Sequence, residues 1–219
     1  MKARFVSIEG NIGSVKSTLL AKLRADNPDW YYVDEPVSRW MEMKENGKSI
    51  LEIFYEDRPR WSYNFQSFAL LTRLQAINAT YQKAIDDGAI NPVILMERSL
   101  ETDMKIFAKM LHDTNEMMDI EWNIYNEWAK EFNKFNKVAT RSIVWVDTPV
   151  NICIDRIHMR GRQGEDKIGE DYLISLDKYH SDWLNNESHI NIFKFYNWGP
   201  SEAGSLLTDV EDVIRFIAE

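Results

Sequence analysis

The chain has 219 residues, of which 44% are hydrophobic and 28% are charged, and its formal net charge is −9. This length and composition predict one globular domain, spanning residues 1–219, with a substantial core. The acidic balance argues against a nucleic-acid partner, because neutralising a phosphate backbone requires a basic surface. A small phosphorylated ligand needs only a few well-placed cations. No apolar stretch approaches the roughly 20 residues of a membrane span, so no membrane partner is expected.

The cysteine and histidine content narrows the possibilities further. The single cysteine, Cys153, cannot form an intramolecular disulfide and lies in the apolar run VNICIDRI, so we expect a small buried residue. The four histidines have no metal-ligand spacing with cysteine or acidic residues, which predicts no structural metal site. Because MKARFVSIEG leads directly into a strand-like run, we expect no targeting peptide and a cytoplasmic protein.

Strand-like runs alternate with helical patterns along the whole chain. The predicted strands are 4–10, 30–36, 91–99, 142–149 and 190–198, and the predicted helices are 16–26, 37–45, 59–87, 101–112, 119–136, 150–160, 170–185 and 209–218. This alternation predicts an α/β fold in which a five-stranded parallel sheet is flanked by helices on both faces. The polar segment 160–169, RGRQGEDKIG, is interpreted as a mobile lid.

The first predicted strand runs into GNIGSVKST, residues 10–18, which nearly matches the phosphate-binding pattern G-x-x-x-x-G-K-[ST]. Between a strand and a helix, backbone N–H groups and the helix N-terminus can cradle phosphates. Lys16 would then bridge the β- and γ-phosphates, and Ser17 would hold Mg²⁺. The alternative is a strand–helix turn that contains glycines by chance.

Val15 stands where this pattern has its second glycine. A β-branched side chain adds bulk and restricts the backbone at the point where the chain wraps closely around a phosphate. We therefore expect weaker nucleotide affinity than a glycine would allow. A working site, a weakened site and a relic all remain open from this segment alone.

Acidic and basic residues stand at the ends of the next strands. Ligands of parallel α/β sheets bind beyond the carboxyl ends of the strands, where Glu35 (VDEPV) and the adjacent Glu97 and Arg98 (MERS) lie. Glu35 is a candidate general base. The alternatives are a solvated acid and a surface ion pair.

Two helices carry polar residues on one face. Gln66, Ala69 and Arg73 are spaced i, i+3 and i+7, so they could read the edge of a planar base. Arg156 and Arg160 share a helical face, and with Arg162 they could clamp a transferring phosphoryl group. Exposed polar side chains and a solvated basic helix end are the respective alternatives.

Together these segments resemble the deoxynucleoside kinase family, particularly its deoxycytidine and deoxyguanosine kinase branch. The resemblance covers most of the chain and fades after about residue 190. It is carried by the segments IEGNIGS, KSTL, DEPVSRW, FYEDRPRWSYNFQSFALLTRLQ, MERSLETD, RIHMRGRQGED and YHSDWL. The fold that it implies is the P-loop kinase fold.

The resemblance implies a catalytic set and a phosphate-binding set. Glu35 would take the proton of the nucleoside 5′-hydroxyl, Arg98 would hold Glu35, and Glu97 would help to position Mg²⁺ through water. The implied catalytic residues are Lys16, Glu35, Arg98, Arg160 and Arg162. The implied contacts of the ATP (or UTP) phosphates are Gly10, Asn11, Gly13, Ser14, Val15, Lys16, Ser17, Thr18, Arg156, Arg160 and Arg162.

For the acceptor, the resemblance implies that Gln66 pairs with the base edge, that Phe107 stacks on the ring and that Trp40 walls the pocket. Taken alone, both aromatics are more often core residues. The other implied substrate contacts are Ile12, Glu35, Tyr55, Arg73, Arg98, Asp103 and Glu165, with Tyr55 and Glu165 at the sugar 3′-hydroxyl.

Arg73 and Asp103 match an arginine–aspartate pair that the deoxycytidine/purine branch places over the base edge. The resemblance therefore implies deoxycytidine or purine deoxynucleosides as substrates, rather than thymidine. It also implies a homodimer, for which the aromatic-rich segment 120–135 and the long helix after Pro59 could supply a self-complementary face.

Two other functions compete with this interpretation. A catalytically weak or inactive nucleotide-binding relative with a structural role is favoured only by Val15. A nucleoside monophosphate kinase such as a thymidylate kinase shares the loop and the sheet, but it is disfavoured by DEPV, ERS and the Gln66–Arg73 helix taken together.

Overall fold

The computed structural model describes residues 3–135, 140–196 and 210–218. The strands within these ranges are β1 (Arg4–Glu9), β2 (Tyr31–Val33), β3 (Lys44–Glu45), β4 (Lys48–Ser49), β5 (Val93–Glu97), β6 (Thr140–Asp147) and β7 (Asn191–Tyr196). Five of them form a parallel sheet in the order β2-β5-β1-β6-β7, whereas β3 and β4 form an antiparallel hairpin. The predicted five-stranded parallel sheet is therefore confirmed.

The helices connect the strands and cover the sheet. They are α1 (Lys16–Asp26), α2 (Val37–Glu42), α3 (Ile50–Glu56), α4 (Arg58–Asp86), α5 (Leu100–Thr102), α6 (Lys109–Asp113), α7 (Asp119–Phe135), α8 (Val150–Arg160), α9 (Glu170–Leu184) and α10 (Val210–Ala218). A π-helical stretch, Asp103–Ala108, joins α5 to α6, and a 3₁₀ turn, Glu165–Lys167, lies between α8 and α9.

Alternate residues of the buried strands supply two apolar clusters, because successive side chains of a strand point to opposite faces. One cluster joins Phe5, Met96 and Trp145 to the buried face of α4, and the other joins Val6, Leu95 and Val144 to α1 and α10. Helices therefore pack on both faces of the sheet, as predicted.

The segment between β2 and α4 differs from the prediction. The helix predicted over 37–45 ends at Glu42, and residues 44–49 form the β3–β4 hairpin instead. Asn46 and Gly47 both adopt positive φ at its turn, a geometry that favours Asn-Gly. Helix α3 was not predicted; Ser49 and Glu52 close its N-terminus as a capping box.

Most other boundaries agree within a few residues. The strand predicted over 30–36 is shorter, since it ends at Val33 before Pro36. Residues 136, 197, 198 and 209 of the predicted elements lie outside the described residues. Of the helices in the described ranges, none has the length and apolarity required to cross a bilayer.

Candidate functional site

A cavity of about 450 Å³ opens beyond the carboxyl ends of β1, β2 and β5. Most of the predicted site residues line it: Ile12, Gly13, Val15, Lys16, Ser17, Thr18, Glu35, Trp40, Tyr55, Gln66, Arg73, Glu97, Arg98, Asp103, Phe107, Arg156, Arg160, Arg162 and Glu165. Three predicted phosphate contacts, Gly10, Asn11 and Ser14, are not among its lining residues and instead hold the loop in shape.

Two glycines of the phosphate loop are required by close packing. A Cβ on Gly10, which has φ +146°, would lie 2.5 Å from the carbonyl oxygen of Val146, and a Cβ on Gly13 would lie 2.5 Å from that of Cys153. The side chain of Asn11 donates to the carbonyl oxygen of Leu173 in α9 at 2.9 Å. The loop is therefore fixed against β6, α8 and α9.

Val15 adopts the left-handed conformation, with φ 66° and ψ 22°, immediately before α1. A left-handed backbone costs about 1–2 kcal/mol for an L-residue, and a β-branched residue in this region is a genuine outlier. Besides its bulk, Val15 therefore has a backbone conformation that favours glycine.

Lys16 is 4% exposed, and its Nζ donates to the carbonyl oxygen of Asn11 at 2.6 Å. Burial and the nearby charge of Arg98 lower the pKa of Lys16 to about 7. A polyphosphate beside Nζ would favour the charged form and would raise this pKa again.

We expect nucleotide binding at pH 8 to take up protons at Lys16. The amine is largely neutral at this pH when its pKa is about 7, and a bound phosphate draws a proton onto it. Titration calorimetry in buffers of different ionisation enthalpy measures the uptake. Lys16→Arg, whose guanidinium stays charged, should lose this buffer dependence; its absence from the unaltered protein would contradict the expectation.

Ser17 and Glu97 lie together at the mouth of the loop. The Ser17 hydroxyl donates to Oε1 of Glu97 at 2.9 Å. Burial, together with the charge of Glu35, raises the pKa of Glu97, so a cation beside it would stabilise the carboxylate. A hydroxyl and a carboxylate are hard oxygen donors and fit Mg²⁺.

Glu35 lies between two arginines. Its Oε1 accepts from Nη1 of Arg98 at 2.7 Å and from Nη2 of Arg73 at 3.1 Å. Burial alone would raise the pKa of Glu35, but the charges of Arg98, Arg73 and Lys16 outweigh burial and lower it to about 2. Glu35 is therefore a firmly ionised hydrogen-bond acceptor that faces the cavity.

Arg73 connects Glu35, Asp103 and the backbone of Glu97 beside the cavity. It is 1% exposed and forms a bidentate pair with Asp103 at 2.8 and 3.2 Å, while Nη1 donates to the carbonyl oxygen of Glu97 at 2.8 Å. Gln66 and Ala69 are also buried and line the cavity on the same helix face. The predicted polar face of α4 thus points inward.

Aromatic side chains wall this part of the cavity. The Trp40 indole donates to the Thr72 hydroxyl at 3.0 Å, and the Arg98 guanidinium lies 5.1 Å from the centre of the Phe107 ring. Five further apolar residues line the cavity and were not predicted: Val37, Leu51, Phe54, Phe65 and Tyr172. Leu51 and Phe54 belong to α3, which was not predicted either.

Three charged residues of the segment 160–169, which is predicted to be a lid, line the cavity: Arg160, Arg162 and Glu165. Glu165, 4% exposed, accepts from Arg160 at 2.8 and 3.0 Å and from Arg162 at 3.0 Å. Gly164 packs on α3, since a Cβ there would lie 2.7 Å from Cγ of Glu52. Burial and the charges of Glu165 and Glu35 raise the pKa of the neighbouring Tyr55.

Comparison with known proteins identifies the family of this chain. The deoxynucleoside kinase family profile matches residues 6–216. The mouse (Mus musculus) deoxycytidine kinase is 35% identical over 194 residues, which cover 82% of this chain and 74% of the relative. Deoxycytidine kinase 1 of Xenopus laevis is 32% identical over 229 residues, covering 98% and 84%. The mitochondrial deoxyguanosine kinase of Xenopus laevis is 28% identical over 207 residues, covering 86% and 76%. The chain belongs to the deoxynucleoside kinase family and is a transferase.

Proposed function

We propose that the protein transfers the γ-phosphoryl group of ATP, or of another nucleoside triphosphate, to the 5′-hydroxyl of deoxycytidine or a purine deoxynucleoside. The observation that carries the proposal is the position of Glu35. Its carboxylate is held by Arg98 and Arg73 in the same cavity that Lys16 and Ser17 line.

Glu35 would accept the hydrogen bond of the attacking hydroxyl. A carboxylate with a pKa of about 2 is a weak base, so the proton would move only as the new P–O bond forms. This suits a loose transition state, in which the hydroxyl needs little deprotonation before attack. Glu35 would then orient the hydroxyl and take its proton late in the step.

The donor phosphates would lie against the phosphate loop. Lys16, Arg160 and Arg162 would stabilise the charge on the transferring group, and the loop backbone would bind the remaining phosphates. Ser17 and Glu97 would hold Mg²⁺, which supplies charge neutralisation when bound.

The acceptor preference is supported by the Arg73–Asp103 pair beside Gln66. Such buried polar groups discriminate by being left unpaired when the wrong base binds. Rates measured on the four deoxynucleosides test this preference, and thymidine as the best substrate would overturn it.

Val15→Gly is expected to raise kcat/KM for ATP about tenfold, because relief of roughly 1–2 kcal/mol of backbone strain lets the loop adapt to the phosphates. KM for the deoxynucleoside should not change. Phosphate transfer from ATP–Mg²⁺ is measured in both proteins, with Val93→Gly, at a similarly half-buried valine that begins β5, as a control for the general effect of a valine-to-glycine change. Absence of turnover in both the unaltered protein and Val15→Gly would overturn the proposed function.

The left-handed Val15 also favours a second candidate, a nucleotide-binding relative with little or no activity and a structural role. The same experiment separates the two. Turnover only in Val15→Gly would assign the unaltered chain to this second class, whereas turnover in both proteins supports the kinase.

We also propose a homodimer that uses α7. Ile120, Ile124 and Trp128 are spaced by four residues along its outer face, and they are 61%, 41% and 54% exposed. An apolar stripe on a helix suits a self-complementary contact with a second copy. In a sedimentation experiment we expect Trp128→Glu to be a monomer. Ile90→Glu, at an exposed isoleucine elsewhere, should remain a dimer. A monomeric unaltered protein would contradict this proposal.

A further inference from the structure

Arg98 has a strained backbone at the centre of the site. Its φ of 65° places the backbone of a residue with a long side chain in the left-handed region. This conformation lets its guanidinium donate to Glu35 at 2.7 Å and to the carbonyl oxygen of Gly10 at 3.2 Å. Such a conformer persists only when the surrounding structure holds it.

Glu9, at the end of β1, contacts the chain immediately after Arg98. Its Oε1 accepts from the backbone N–H of Ser99 at 2.9 Å, and its Oε2 accepts from the Thr102 hydroxyl at 2.5 Å. The residue is fully buried and is not among those that line the cavity. On the other side of the bend, the N–H of Arg98 donates to the carbonyl oxygen of Ile8 at 3.1 Å.

We propose that Glu9 is a positioning residue for phosphoryl transfer, because it clamps the bend that places Arg98 on Glu35. The inference rests on the proposed function. Strand β1 supplies both sides of the clamp, the Ile8 carbonyl before the bend and the Glu9 carboxyl after it. The carbonyl oxygen of the next residue, Gly10, accepts from the Arg98 guanidinium. Three consecutive residues, Ile8, Glu9 and Gly10, therefore set the position of Arg98.

The simpler role for Glu9 is to stabilise the N-terminus of the helix that begins at Leu100. A carboxyl group there satisfies N–H groups and interacts favourably with the helix dipole. That role alone predicts lower stability and unchanged catalysis. The clamp predicts a loss of kcat that depends on Arg98, so the two roles can be separated.

The test uses Glu9→Gln, which keeps the size of the side chain but leaves only one acceptor oxygen. We expect kcat to fall about 10- to 100-fold, as displacement of a positioned group does, while KM for ATP and for the deoxynucleoside does not change. In an Arg98→Ala background, the same substitution should cause no further loss. Ser62→Ala, which removes a buried hydroxyl that donates to the backbone carbonyl oxygen of Arg58 in α4, is the control for a general loss of stability and should leave kcat unchanged.

An unchanged kcat in Glu9→Gln, or a loss that multiplies fully with that of Arg98→Ala, would overturn the inference. If Glu9→Gln does not fold, Thr102→Val removes one of the two contacts of Glu9 and should also lower kcat. An unchanged kcat in Thr102→Val would overturn the inference equally.

Amide hydrogen exchange over residues 97–102 gives a readout without turnover. Unchanged exchange in Glu9→Gln would contradict the clamp, because the contacts with Ser99 and Thr102 would then not hold the bend. Failure of the proposed function would instead show as absent turnover in the unaltered and Val15→Gly proteins.

Discussion

Glu35→Gln is expected to lower kcat by about 10²- to 10⁴-fold, the range typical of a lost general base, with little change in either KM. Glutamine fits the same space, but it cannot take the proton of the attacking hydroxyl. It also presents an N–H₂ group where two arginines now donate to a carboxylate. Steady-state rates at saturating ATP and deoxynucleoside measure the effect.

Asp26→Asn is the matched control, because the Asp26 side chain is 33% exposed, pairs with Lys22 at 2.8 Å on α1 and does not line the cavity. It should retain the rate of the unaltered protein. A kcat of Glu35→Gln close to that of Asp26→Asn would contradict the assigned role. The pH dependence of stability gives a second measurement. The pKa of Glu35 is lowered from 4.5 to about 2, so its ionisation contributes stability above pH 4.5, and this contribution is lost as the pH falls towards 2. Glu35→Gln should lack that part of the acid dependence.

The sheet and the centre of the site could be predicted because they depend on short patterns. Continuous apolar runs mark strands that are buried on both faces, and the parallel arrangement places their carboxyl ends at one edge. Glu35, Glu97 and Arg98 follow directly from that rule, and the structure brings all three to one cavity. The i, i+3, i+7 spacing likewise placed Gln66, Ala69 and Arg73 on one buried helix face.

The walls of the cavity were harder to predict. The pattern over 37–45 looked continuous, so the hairpin and α3 were missed, although the Asn46-Gly47 turn and the Ser49–Glu52 capping box are both visible in the sequence. The π-helical stretch that carries Asp103 and Phe107 leaves no comparable signal. Its extra residue per turn changes which side chains face the cavity.

The left-handed backbone of Val15 and of Arg98 could not be predicted from the sequence. Left-handed φ values at Val15 and Arg98 contradict the local preference of both residues. The Arg98 bend is flanked by tertiary contacts, since its N–H donates to the carbonyl oxygen of Ile8 and Glu9 accepts from Ser99 and Thr102 just after it. Local propensity and observed conformation disagree where the proposed chemistry takes place, as expected for functional sites.

Arg73→Leu is expected to lower the free energy of unfolding by about 3–5 kcal/mol, the typical penalty for breaking a buried ion pair from one side. Asp103 is 2% exposed and would lose a bidentate partner, while burial already raises its pKa. Urea unfolding monitored by tryptophan fluorescence measures the change. Arg24→Leu is the matched control, because it breaks an equally short but exposed pair with Asp34 at 2.8 Å and should cost less than about 1 kcal/mol.

Combining Arg73→Leu with Asp103→Ala should recover most of the lost stability, because neither charge is then left buried without a partner. Substrate preference should not recover. Without the charged pair, the pocket no longer penalises a base that cannot satisfy it, so we expect the kcat/KM ratio of deoxycytidine to thymidine to fall about tenfold or more. Stability restored together with an unchanged ratio would show that the pair supports the fold alone, and base selection would then rest on Gln66 and the aromatic walls. A double variant as unstable as Arg73→Leu would instead show that Glu35 depends on Arg73 for its own pairing, since Arg98 would be its remaining partner at 2.7 Å.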